Sequence, residues 1–83
     1  MIIKKKNGER SVSMPLTMVP IGEERVVLSF RGNDEVKRRL QDLGFHQGQG
    51  IKILSENDSG LILLIKDVRI ALNRGLAQRI IVE

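Results

Sequence analysis

The sequence predicts a small, mostly β fold, and three observations carry this prediction. Short runs of alternating apolar and polar residues, which are typical of β-strands, recur along a chain of 83 residues. One amphipathic helix follows the first of these runs, and helices do not alternate with strands as they would in a parallel sheet. Strands this short leave exposed edges unless the sheet closes on itself. We therefore expect an SH3-like barrel of about five short strands with one helix inserted after the first strand.

The first strand is predicted over residues 24–31. Val26, Leu28 and Phe30 alternate with Val27 and its neighbours, so the two sets of side chains should lie on opposite faces. The lead-in before this strand contains two prolines and is predicted to be irregular.

The helix is predicted over residues 34–43, with Asn33 as its N-cap. Val36, Leu40 and Leu43 recur at positions i, i+4 and i+7, which places them on one apolar stripe. Gly44 fits the left-handed position that follows a helix in a Schellman ending, and the next residue, Phe45, is then expected to fold back on Leu40.

Four further strands are predicted over residues 51–56, 61–66, 69–73 and 79–82. The loop Asn57-Asp58-Ser59-Gly60 strongly indicates a hairpin. The link Lys66-Asp67-Val68 is a weaker hairpin signal, because a β-branched valine suits a tight turn poorly.

The segment from Leu61 to Ile65 is apolar on both faces. If Leu61, Leu63 and Ile65 face the barrel interior, Ile62 and Leu64 face outward and need a cover. Either the helix stripe or the lead-in covers them, or they belong to a partner-binding surface.

The charged residues are unevenly distributed along the chain. The formal net charge is +4 and the pI is near 10.0, which by itself favours a nucleic-acid binder. Four of the fourteen basic side chains, however, lie in residues 1–15, and only two aromatic residues are available to stack on bases. Nucleic-acid binding is therefore the least favoured function. We predict a basic, flexible N-terminal extension over residues 1–13 and one folded domain over residues 14–83.

The sequence contains few residues that carry chemistry. Without cysteine it has no disulfide, thiolate metal site or cysteine nucleophile, which fits the cytoplasm. His46 is the single histidine, whereas a ferrous site uses several histidine or carboxylate ligands, so His46 is only a weak metal-ligand candidate. No Ser-His-Asp set and no phosphate-binding loop is present. We predict no enzymatic activity and no cofactor.

Two motifs carry a resemblance to a known family. The segment Arg39-Leu40-Gln41-Asp42-Leu43-Gly44-Phe45-His46-Gln47-Gly48 has the form Arg-Leu-x-x-Leu-Gly-hydrophobic-x-x-Gly. The segment from Ile70 to Val82 has the form hydrophobic-Ala-Leu-x-x-x-x-Ala-x-x-Ile-x-Val. With both motifs in order, the chain resembles the FeoA family (ferrous iron transport protein A) from about Leu16 to Val82.

The resemblance implies an SH3-like fold and a role in ferrous iron uptake. Family members are accessories of FeoB, a membrane permease with a cytosolic GTP-binding domain, so the chain would meet the membrane only through that partner. Two features depart from the family: Gly75-Leu76 stands where many members have an acidic residue, and residues 1–13 form an extra leader. The same fold occurs in iron- and manganese-responsive repressors, which leaves open the alternative of a sensor or carrier that binds Fe2+ or Mn2+ itself.

The residues expected to contact the permease come from three places. The consecutive basic residues of the helix favour electrostatic docking to an acidic surface, although a solvated face or an arginine finger acting on a GTPase are alternatives. The second place is the turn at the end of the helix, and the third is the outward side of the apolar strand. The candidate contact residues are Lys37, Arg38, Arg39, Leu43, Gly44, Phe45, Ile62 and Leu64.

Overall fold

The computed structural model describes residues 12–83. Residues 1–11, which make up most of the predicted N-terminal extension, lie outside the described residues. The described elements, in chain order, are β1 (Met14–Pro15), a 3-10 turn (Leu16–Met18), β2 (Glu24–Phe30), α1 (Asp34–Asp42), β3 (Gly50–Glu56), β4 (Gly60–Ile65), β5 (Val68–Asn73), α2 (Arg74–Ala77) and β6 (Ile80–Val82). No helix within residues 12–83 is long and apolar enough to cross a membrane.

In residues 12–83 the six strands form one antiparallel sheet in the order β1-β6-β2-β3-β4-β5. The strand β2 is shared between two partners: Glu24–Val26 pairs with β3, and residues 27–30 pair with β6. A strand that changes partner along its length bends the sheet, as a small barrel requires. The mostly β prediction is confirmed, and the two-residue β1 is added to the predicted strands.

The core is built from aliphatic side chains and Phe45. Leu61, Leu63 and Ile65 are buried, as predicted, while Ile62 and Leu64 are half-buried. In β2 the simple alternation is interrupted, because the register shifts between Val27 and Ser29. Val27 is buried, whereas the adjacent Val26, on the opposite face, is 43% exposed. The buried core residues are Leu16, Val19, Val27, Leu40, Phe45, Ile51, Ile53, Leu61, Leu63, Ile65, Leu72, Ala77, Ile80 and Val82.

Both ends of α1 follow the local chemistry of the sequence. The Asn33 side chain accepts a hydrogen bond from the Val36 N–H at 3.0 Å, which satisfies a free donor of the first turn. At the other end, the Gly44 N–H donates to the Gln41 carbonyl at 3.0 Å and the Phe45 N–H donates to the Leu40 carbonyl at 3.1 Å. These two bonds are the Schellman pattern, and they confirm the predicted ending.

The two hairpin turns of the sheet differ in chemistry. In the first, the Asn57 side chain accepts hydrogen bonds from the N–H groups of Ser59 and Gly60, at 2.8 and 3.0 Å. In the second, Lys66 and Asp67 both have positive φ, of 50° and 66°, as a type I′ turn requires. Val68 was predicted to be part of this link, but it is the first residue of β5 and pairs with Ile65. The turn therefore avoids the β-branched residue.

Candidate partner-binding site

An apolar groove lies where the end of α1 meets the β4–β5 hairpin. Its accessible volume is about 250 Å³. The Leu43 side chain is 41% exposed and that of Val68 is 56% exposed, while Ile70 is half-buried against the core. We call this feature the helix-end groove; its lining residues are Leu43, Gly44, His46, Gln49, Ile65, Lys66, Val68 and Ile70.

The helix-end groove exists because α1 stops abruptly. Gly44 has φ of 107°, which only glycine adopts readily, so the chain reverses after Leu43. The reversal turns the Phe45 side chain into the core, where it is fully buried. Leu43 instead stays at the surface, where the sequence placed it as a contact residue, although it belongs to the same apolar stripe as the buried Leu40. Leu43 and Phe45, on either side of Gly44, therefore have opposite environments: Leu43 is exposed and Phe45 is buried.

The helix-end groove carries a positive charge at its rim. Lys66 lines it, and no carboxylate is among the lining residues. His46 lines it too, and it also lines an adjoining groove of about 260 Å³ that includes Lys37 and Gln41. A ligand with apolar side chains and negative charge fits this arrangement better than a neutral or basic one.

The basic residues of α1 are exposed but do not converge. Successive helical residues are about 100° apart, so Lys37, Arg38 and Arg39 spread around the outer side of the helix. Lys37 lines the groove that includes Gln41, whereas Arg38 and Arg39 line neither that groove nor the helix-end groove. The two ion pairs found in residues 12–83 involve other residues.

The structure divides the predicted contact set into separate surfaces. Leu43 lines the helix-end groove, and Gly44 shapes its backbone. Ile62 and Leu64 lie on the outer face of β4, where Leu64 pairs with Lys52 on one side and Arg69 on the other. The helix stripe does not cover them, because Leu40 is buried in the core and Leu43 lines a different surface. The fully buried Phe45 side chain serves packing rather than contact.

Sequence reasoning missed Lys66, Val68 and Ile70 as site residues. Val68 is an exposed apolar residue directly after a polar turn. The groove itself joins Leu43 to Val68 across 25 positions of sequence, and only tertiary packing brings them together.

A metal ion is held by several His, Cys, Asp or Glu side chains that converge on it. Between Val12 and Glu83, no three His, Cys, Asp or Glu side chains lie close enough together to hold one. His46 lies in the turn after α1, and its neighbours in the helix-end groove are apolar, amide and lysine side chains.

Comparison with known proteins agrees with the fold. A model of the FeoA domain matches residues 14–83. A putative Fe(2+) transport protein A of Methanocaldococcus jannaschii is 32% identical over 69 residues, which cover 83% of this chain and 84% of that protein.

Two solved structures resemble this one closely. The crystal structure of an iron uptake regulatory protein (FeoA) is 27% identical with a TM-score of 0.77, and the match covers 88% of this chain and 97% of that chain. FeoA of Stenotrophomonas maltophilia, solved with zinc and described as an SH3 domain protein, is 29% identical with a TM-score of 0.72, over 84% of this chain and 89% of that chain. The SH3-like fold predicted from sequence is confirmed. From its motifs, its fold and these matches, the chain belongs to the FeoA family, that of ferrous iron transport protein A.

Proposed function

We propose that this protein is a non-enzymatic, cytoplasmic accessory of ferrous iron uptake. It binds the cytosolic part of a FeoB-type, GTP-dependent membrane permease and modulates its activity. Membership of the FeoA family supports the link to iron transport, and the helix-end groove is the observation that supports a role in binding.

The helix-end groove suits a protein contact because it combines exposure with an apolar surface. Val68 is 56% exposed in the isolated chain. Covering such an apolar side chain with a partner removes it from water, which favours binding. Burying a fully exposed side chain of this kind contributes about 1.5–3 kcal/mol, and a half-exposed one about half of that. Leu43 and Val68 are therefore the two residues from which we expect most of the binding energy.

The basic residues of α1 have a different role. Their exposure means that each contributes little to the final affinity, but together they attract an acidic partner surface and accelerate encounter. Reversing the charges of Lys37, Arg38 and Arg39 should mainly lower the association rate, and the loss should shrink as salt is raised.

The test is co-purification of the chain with the full-length permease of the same organism in detergent, with affinity measured by titration. Val68→Asp should weaken binding at least about tenfold, because a carboxylate replaces an exposed apolar side chain that lines the helix-end groove. Ile21→Asp is the matched control, since Ile21 is 57% exposed but lies outside the groove. Equal affinities for the two variants would refute the assignment of the site, and no complex with the unmodified chain would refute the function.

A further inference from the structure

One edge of the sheet is free within the described residues. The strand β5 is last in the sheet order, and among residues 12–83 it pairs with β4 alone. The pairing runs without a bulge from Gly60↔Asn73 to Ile65↔Val68. Proline and bulges commonly protect such edges, and β5 contains neither.

The geometry of the turn fixes which backbone groups of β5 point outward. In a two-residue hairpin the residues that flank the turn, here Ile65 and Val68, form a hydrogen-bonded pair, and the bonded and non-bonded pairs then alternate. Arg69 and Ala71 consequently fall in non-bonded pairs. Their N–H and C=O groups point away from β4, toward the free edge.

The side chains of β5 provide two different surfaces along this edge. Val68 and Ile70 lie on the side of the helix-end groove, together with Leu43. Arg69 and Ala71 lie on the outer side, where they pair with Leu64 and Ile62 of β4. The edge therefore lies between the two surfaces that carry the predicted contact residues.

We propose that the segment bound by this protein is an extended strand that adds to the sheet along β5. This inference rests on the proposed function and specifies how the partner is recognised. Water satisfies the outward N–H and C=O groups of Arg69 and Ala71 in the free protein, and an extended backbone is the partner whose own N–H and C=O groups match their spacing. The alternate side chains of the added strand fall into the helix-end groove and onto the outer face.

The charges of the edge specify the chemistry of the segment further. Lys66 lines the helix-end groove and Arg69 projects from the edge strand, while the lining residues of the groove include no carboxylate. The bound segment should therefore alternate apolar residues, which enter the groove, with acidic residues on the outer face, which approach Arg69.

The test uses a matched pair of substitutions at one position. Ala71→Pro removes the outward N–H without breaking a hydrogen bond to β4, and proline is tolerated on an edge strand in this orientation. Ala71→Val keeps the N–H and suits a strand. Titrated with the purified full-length permease, the proline variant should bind at least about tenfold more weakly, whereas the valine variant should bind like the unmodified chain.

Amide hydrogen exchange gives a second readout, and it uses the unmodified chain, so it does not depend on whether a variant folds. In the free protein the N–H groups of Arg69 and Ala71 should exchange rapidly, and addition of the permease should slow them at least about tenfold. Unchanged exchange at both amides in the complex would overturn the proposal. Slowing that depends on the concentration of this chain alone would also overturn it, because a second copy would then occupy the edge.

The outcomes separate this inference from the proposed function. If Val68→Asp weakens binding but a folded Ala71→Pro variant binds normally, the function stands and edge pairing is wrong. If the unmodified chain forms no complex, both are wrong.

Discussion

Gly60 offers the sharpest test of the packing that supports the β5 edge. It begins β4, is buried and pairs with Asn73. A Cβ atom added there would lie 2.2 Å from the Leu72 carbonyl oxygen and 2.9 Å from the Asn73 Cα. Both obstacles are backbone atoms of β5, so a rotamer change cannot relieve the clash, and the two strands must separate.

The magnitude follows from the kind of clash. Overpacking in a well-packed region costs about 1–3 kcal/mol, and a contact with backbone lies toward the upper end of that range. Replacing glycine with alanine also reduces the conformational entropy of the unfolded chain, which raises the free energy of unfolding by about 0.4–1 kcal/mol. We expect Gly60→Ala to lower the free energy of unfolding by about 2 kcal/mol in total. For a domain of this size that corresponds to a fall in Tm of roughly 8–16 °C.

Thermal and urea unfolding, followed by circular dichroism, measure this change. Gly50→Ala is the matched control: Gly50 also begins a strand, but an added Cβ meets nothing within 4 Å. Its Tm should stay unchanged or rise by a few degrees, at most about 1 kcal/mol of stabilisation. If the two variants had the same stability, the close approach of β4 and β5 would be wrong, and with it the placement of the free edge.

Three further outcomes are expected from single substitutions. Leu40→Ala removes a fully buried side chain from the core and should lower the free energy of unfolding by about 2–5 kcal/mol, measured by urea unfolding. Asn33→Ala removes the cap of α1 and should cost about 1 kcal/mol in the same assay, whereas Asn33→Asp should retain most of the stability. Anaerobic Fe(II) titration should give the same weak binding for the unmodified chain and for His46→Ala, because one imidazole does not complete a ferrous site; stoichiometric binding lost in the variant would favour the metal-carrier alternative.

Features that depend on a few consecutive residues were predictable from sequence. The cap at Asn33 and the reversal at Gly44 each follow from hydrogen bonds that span no more than five residues. The hairpin at Asn57–Gly60 follows in the same way, because the asparagine side chain bonds to its own turn. Local chemistry was sufficient for these features, since no distant contact competes with it.

The environments of single apolar residues were less predictable. The alternation places Val26 and Val27 on opposite faces of β2 but does not say which face is buried, and in the structure Val27 is buried. Which face meets the core depends on how β2 packs against distant segments, and the sequence of β2 does not record it. Leu43 was predicted both as part of the apolar helix stripe and as a contact residue, and it is 41% exposed, because packing against the core ends one turn earlier at Leu40.

By itself the sequence determined five of the six described strands, α1 with both of its ends, and the family to which the chain belongs, but not β1 or the short α2. These features depend on residue order at short range and on two motifs that can be read directly. Only the tertiary structure decided that Leu43 and Val68 line one groove and that β5 has a free edge, because both depend on where distant segments pack. A surface shared by segments 25 residues apart has no local signature, since its parts are joined by the core and not by the chain.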